Sequence, residues 1–212
     1  MLRVYYAEVA AVPDQPGALP LSSYRLSQLS SCRSPQKRRQ GIGAELLLIH
    51  ALRSWKGDFP LPPMLETEPG GKPFLSGTPI HFSLSHSGEI AACALCDAPV
   101  GIDVETERPL KEPLLRRCFS EEEQSLILAS EYPAASFTAL WTRKESYLKA
   151  TGEGLRSLGK TDLCAPPENA FFHTMQQGTL HLSVCVLGQS ADPERVEKVE
   201  FANTFLDCLS NK

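Results

Sequence analysis

With 212 residues, 42% of them hydrophobic, the chain can bury one large core or two modest ones. A net charge of −4 and a single short basic run argue against a nucleic-acid-binding domain, and no stretch is apolar for long enough to span a membrane. Seven cysteines, an odd number spread along the sequence, and an N-terminus (Met1-Leu2-Arg3-Val4) not laid out as a signal peptide set the expectation of a cytoplasmic protein with reduced thiols.

In chain order, residues 4–12 predict a first strand, followed by a loop. Ser34 can cap, and Pro35 can open, a helix running to about Trp55. Lys37, Arg38 and Arg39 then crowd its N-terminus, where cations oppose the macrodipole and an anion is doubly favoured. The plainer reading of the same run is a solvated basic turn. A connector rich in proline and glycine continues through Pro79. Residues 81–88, 90–95 and the stretch after Pro99 predict a three-strand meander, with His86 in a tight Ser/Gly turn. Cys93 and Cys96 form a C-x-x-C, but within strand-like sequence and with no second pair, so no metal or redox role is expected.

Val100, Ile102 and Val104 alternate with Gly101, Asp103 and Glu105, the period-two pattern of a half-buried strand. Asp103 and Glu105 share a face with their Cα atoms roughly 7 Å apart. Two carboxylates that close repel unless a cation or a shared proton relieves them; a solvated strand face is the alternative. After a link near residues 106–114, Ser120 and Glu123 make a capping box for a helix over residues 121–130. A second helix runs from Tyr132-Pro133 to a glycine stop at Gly152 and Gly154. At about 100° per residue, Phe137, Leu140, Trp141 and Leu148 share an apolar arc. Lys144 falls inside that arc, Glu145 on its flank, and Lys149 at i+4 from Glu145. A surface Glu–Lys pair explains the last two. A lysine inside an apolar stripe must snorkel, pair or neutralise. One anionic and two cationic groups at the edge of a packed face suit a metal-bound polyphosphate, which makes Lys144 as well as Lys149 a candidate cofactor contact. A final strand pair is expected near residues 180–187 and 196–202.

Gly71-Lys72-Pro73, the Ser85-His86-Ser87-Gly88 turn, P-V-G-I-D-V-E at 99–105, the phrase around Arg117-Cys118-Phe119-Ser120, and W-T-R-K-E-S-Y-L-K-A-T-G-E-G-L at 141–155 follow one another in the order and spacing of the 4′-phosphopantetheinyl transferases. Across residues 31–155 the chain resembles their longer, surfactin-type branch. The resemblance implies an α+β fold made of a pseudo-twofold pair of similar halves, 1–99 and 100–212, with the cofactor in the cleft between them, in a monomer. It implies Mg²⁺-dependent transfer of the 4′-phosphopantetheine of coenzyme A to a serine of an apo acyl or peptidyl carrier protein, as in secondary-metabolite biosynthesis, releasing adenosine 3′,5′-bisphosphate.

By the same resemblance, Asp103, Glu105 and Glu145 hold the magnesium, Glu145 is the general base, and Lys149 binds pyrophosphate and stabilises the leaving group. Hard oxygen donors without a convergent Cys/His set favour magnesium over zinc. Lys72, Ser85 and His86 contact the nucleotide end, and alignment on the following G-x-x-L-L pattern points to Arg39, then Arg38, as further ligands. The basic cluster the family carries upstream is thin here, with Arg25 and Arg33 its only representatives. Two other functions fit many of the same residues: a metal-dependent phosphohydrolase, and a non-catalytic partner-binding relative. The second should have lost a metal ligand or the helix lysine, and this chain keeps them.

Overall fold

Alternation along the first strand decides how the molecule is layered. In β1 (Leu2–Glu8), Leu2, Val4 and Tyr6 face one way, Tyr5 and Ala7 the other, and all five are buried. The structure, a computed structural model describing residues 1–201, places a packed layer on each side. β1 pairs antiparallel with β5 (Ile90–Cys96) and parallel with β9 (Pro193–Lys198), and β4 (His81–Ser87) adds to β5, giving the order β4-β5-β1-β9. The unbroken apolar run of β5 is what a strand covered on both faces requires.

One face packs beneath α2 (Pro35–Trp55), where Tyr5, Phe82, Cys93 and Leu95 meet Ile42, Leu46, Ile49 and Leu52. The other face packs on a second sheet of β6 (Val100–Thr106), β8 (Leu180–Leu187) and β7 (Ala170–Gln177), antiparallel in the order β6-β8-β7. There Leu2, Val4 and Ala94 meet Ile102, Val104, Leu182 and Val184. The far side of this sheet is covered by α5 (Pro133–Thr151), so the layers run helix, sheet, sheet, helix, an α+β architecture. A third apolar cluster, with Leu115, Phe119, Ile127 and Leu148, joins α3 (Glu112–Cys118) and α4 (Glu121–Ala129) to α5.

Two local features place the functional side chains. A Cβ on Gly101 would lie 1.9 Å from the Ser146 carbonyl oxygen and 2.5 Å from the Ala150 nitrogen, so only glycine lets α5 lie this close on β6. The edge strands β4 and β6 are joined by side chains: Ser83 Oγ accepts from the Ile102 N–H at 3.1 Å and Ser85 Oγ from the Val104 N–H at 3.4 Å.

Several elements differ from the sequence expectation. β4 and β5 form a hairpin, but β6 leaves their sheet, because Ile102 and Val104 bury themselves on its face instead of extending its edge. β8 pairs with β6 and β7, not with the last strand, and β9 returns to lie beside β1. Ala202, the expected end of that last strand, and the rest of the C-terminal half to residue 212 lie outside the described residues. α1 (Ser23–Ser31), β2 (Leu65–Thr67), β3 (Pro73–Leu75) and β7 fall where no element is expected. α1 buries one apolar residue, Leu29, and so shows no stripe; β7 is a half-exposed edge strand without clean alternation. Among the described residues, no helix is long and apolar enough to cross a membrane.

Candidate active site

A cleft of about 380 Å³ opens between the two ends of this layering. Tyr24, Arg25 and Ala44 line it from α1 and α2, Lys72 from the turn before β3, His86 from β4, and Glu145 and Lys149 from α5. The period of β6 turns Asp103 and Glu105 toward α5, the i,i+4 spacing on α5 puts Glu145 and Lys149 on one face, and Gly101 lets the two surfaces meet.

Asp103 sits behind Lys149, 4% exposed. Its Oδ1 accepts from Lys149 Nζ and from Ser85 Oγ, each at 2.7 Å, while Oδ2 is buried with no partner among the described residues. Glu105 accepts from the Ser87 hydroxyl and lies 3.3 Å from Arg108 Nη2. It opens on a second, smaller cavity of about 130 Å³ that Arg108, Leu114, Phe137 and Trp141 help to line. Glu145 is buried and, among the described residues, its carboxylate makes no hydrogen bond. Burial first, then the Asp103 charge, push its pKa up to about 7, against the pull of Lys149. Burial also raises the Glu105 carboxyl, opposed by the Ser87 hydrogen bond and reinforced by Asp103. The acidic trio therefore bridges the two cavities, with Glu145 on the larger and Glu105 on the smaller.

The donor set suits a hard dication. Three mutually repelling carboxylates, one with an orphaned buried oxygen, are what Mg²⁺ relieves. They are not drawn into a ligand arrangement: no group of three acidic, histidine or cysteine side chains among the described residues is set to hold a metal. Lys149 and Arg108 stand on Asp103 and Glu105 instead, and both must turn aside for an ion to enter.

Burial disfavours the charged form of two basic groups in the cleft. His86 is held below its ordinary pKa by burial, then by Lys149 and Arg25. Burial lowers Lys72, with Glu68 opposing; its ammonium meanwhile donates to the carbonyls of Ala150 at 3.2 Å and Val100 at 3.5 Å. Ser85 faces the acids, where its hydroxyl links Asp103, Lys149 and the β6 backbone.

Three basic residues expected at the cofactor do not line the cleft. Lys144 is fully buried: its Nζ donates to Glu123 Oε2 at 2.6 Å and to the Cys118 carbonyl at 2.7 Å, and lies 4.8 Å from the Phe119 ring centroid. A lysine in an apolar stripe has here found a partner, and it does not line the cleft. Arg38 donates to the carbonyls of Asp14, Leu29 and Cys32 and to Gln15 Oε1, tying the loop after β1 to the C-terminal end of α1. Arg39 does not line the cleft, and its Nε is buried without a partner among the described residues. Tyr24 and Arg25 do line it; Arg25 is named from the sequence only as a remnant of the family's basic cluster and Tyr24 not at all, because α1 itself is not expected, and the one signal is Ser22, whose hydroxyl caps the helix by accepting from the Arg25 N–H at 3.1 Å.

Arg25, Lys72, His86 and Lys149 gather in this cleft with Glu145 on its wall, an arrangement that suits a phosphate ester or polyphosphate. Residues 99–198 match the family model of the 4′-phosphopantetheinyl transferase superfamily. The chain is 34% identical over 172 residues to the 4′-phosphopantetheinyl transferase AcpT of Salmonella typhi, a match covering 78% of this chain and 86% of that protein. It is 37% identical over 121 residues to psf-1 of Bacillus pumilus, covering 55% of this chain and 52% of the relative. To Sfp of Bacillus subtilis it is 39% identical over 92 residues, covering 42% of this chain and 41% of the relative. The match thus spans only about half the length of these two Bacillus proteins. The chain belongs to the 4′-phosphopantetheinyl transferase superfamily and is of its Sfp-like type.

Proposed function

We propose that this protein transfers the 4′-phosphopantetheine group of coenzyme A to a serine of an apo acyl or peptidyl carrier protein, with Mg²⁺, releasing adenosine 3′,5′-bisphosphate. On this reading residues 1–99 and 100–212 form two related halves that flank the cofactor. One observation carries it: Glu145, buried, without a hydrogen-bond partner among the described residues and with its pKa pushed up to about 7, stands beside the Lys149–Asp103 pair in a cleft lined by His86, Lys72 and Arg25.

The nucleotide end of coenzyme A lies along the cationic wall, where His86, Lys72 and Arg25 neutralise phosphate oxygens. The serine hydroxyl gives its proton to Glu145, whose raised pKa matches that task near pH 7. The serine oxygen bonds to the phosphorus nearer the pantetheine. The bond from that phosphorus to the bridging oxygen breaks, and the electron pair leaves on adenosine 3′,5′-bisphosphate. Lys149 donates to the departing phosphate, stabilising charge where it grows. Asp103, Glu105 and Glu145 are the residues that would hold the magnesium ion, which when bound neutralises the pyrophosphate.

The test is incubation with coenzyme A, Mg²⁺ and a panel of apo carriers, read by intact-protein mass spectrometry. One phosphopantetheine added to the carrier serine is the expected result. Free phosphopantetheine beside an unchanged carrier would identify a phosphohydrolase instead.

A further inference from the structure

Glu45 is a carboxylate where the core asks for a hydrocarbon. It lies in α2 among buried Ala44, Leu46, Leu47 and Leu48, and is itself 0% exposed. An acid there is costly unless it is paired, and burial does push its pKa up. Its partners all belong to the start of α1. Oε1 accepts from the Ser22 backbone N–H; Oε2 accepts from the Ser22 hydroxyl at 3.1 Å and from Arg25 Nε at 3.3 Å. α1 is nine residues long and buries a single apolar side chain, Leu29, so hydrophobic packing alone anchors it weakly. The buried carboxylate supplies that anchor, and it engages the Nε side of an arginine that lines the cleft. Arg25 Nη1 is braced by Gln28 Oε1 at 3.1 Å, and Gly41 leaves room for it: a Cβ there would lie 3.1 Å from Nη1.

We infer that Glu45 is a positioning residue for coenzyme A binding: by holding Ser22 and Arg25 Nε together it fixes the fork of the Arg25 guanidinium in the cleft, where it grips a phosphate of the nucleotide end. This role rests on the coenzyme A reading above. A planar guanidinium held at Nε and Nη1 offers its remaining N–H groups to a phosphate with little ordering left to do on binding.

Calorimetric titration with adenosine 3′,5′-bisphosphate, paired with transfer kinetics, tests it. Glu45→Gln keeps the shape and an acceptor for Ser22 but loses the charge that holds Arg25. Affinity for the bisphosphate should fall about tenfold, and KM for coenzyme A should rise about as much with kcat changed by less than about twofold. The same substitution in an Arg25→Ala background should cost nothing further. Arg25→Lys guards against a folding artefact, because it leaves Glu45 a cation; one ammonium cannot serve both Glu45 and the cleft, so affinity should fall as in Arg25→Ala while the melting temperature holds. Wild-type affinity in Glu45→Gln or Arg25→Lys, or additive losses in the double variant, overturns the role of Glu45. A wild-type chain that binds neither compound overturns the coenzyme A reading and this role with it.

Discussion

Lys144 and Lys149 lie five positions apart on one helix and do opposite things. Lys144 belongs to the core: its pair with Glu123 is fully buried, and Glu123 also accepts from the Leu163 and Ser120 N–H groups. Lys144→Met leaves that carboxylate buried without its counter-ion, a loss of about 3–5 kcal/mol and of about 6–20 °C in melting temperature, which a thermal melt will read. Lys149, with a third of its side chain exposed, faces the cleft. Lys149→Ala also leaves the buried Asp103 carboxylate without its cation, so it should cost stability as well, and it should lower kcat by about 10²–10³. His86 allows a pH test. Its charged form is disfavoured in the free protein, so the folded state binds fewer protons there than the unfolded chain, and stability falls as pH drops through 6.5. An anion in the cleft favours the charged form, so coenzyme A binding takes up a proton at acidic pH, where the imidazole titrates. Titrations in buffers of different ionisation enthalpy should show this uptake reduced in His86→Gln, and an unchanged uptake would remove the imidazole from the binding site.

At the scale of elements, the close crossing of α5 over β6 makes the site. The atoms that a Gly101 Cβ would meet are backbone, with no flexible side chain to give way. Gly101→Ala must therefore lift the helix, at a cost of about 3 kcal/mol or more, and it should lower activity even at temperatures where the variant stays folded, because Glu145 and Lys149 move with the helix. This crossing was half-legible in the sequence: the alternation of β6 and the spacing on α5 fix which residues share each face, and both hold. The capping box of Ser120 and Glu123 also stands as read. The second bond of Glu123, across twenty-one residues to Lys144, was not legible, because sequence spacing shows that a buried lysine needs a partner without showing which. α1 and β7 escaped for a related reason. Their positions come from a buried carboxylate and from a neighbouring strand, and neither leaves a periodic apolar signature in its own residues.

At the scale of the whole molecule, the cleft is lined by α1, α2 and β4 on one side and by α5 on the other, so a ligand filling it links the first layer to the last. Binding to the folded state alone stabilises by about 2.7 kcal/mol when the ligand is at a hundred times its dissociation constant, or about 5–11 °C in melting temperature for a chain of this size. Adenosine 3′,5′-bisphosphate should supply a shift of this order by itself, since its cationic contacts need no metal. Coenzyme A with Mg²⁺ should exceed the sum of the two added separately, because the diphosphate completes a set of oxygen donors that the carboxylates only begin. Asp103→Asn should keep the shift caused by the bisphosphate and lose the increment due to Mg²⁺. A wild-type melt to which Mg²⁺ adds nothing in the presence of coenzyme A would mean that Lys149 and Arg108 are the permanent partners of Asp103 and Glu105, and that this cleft binds its ligand through protein cations alone.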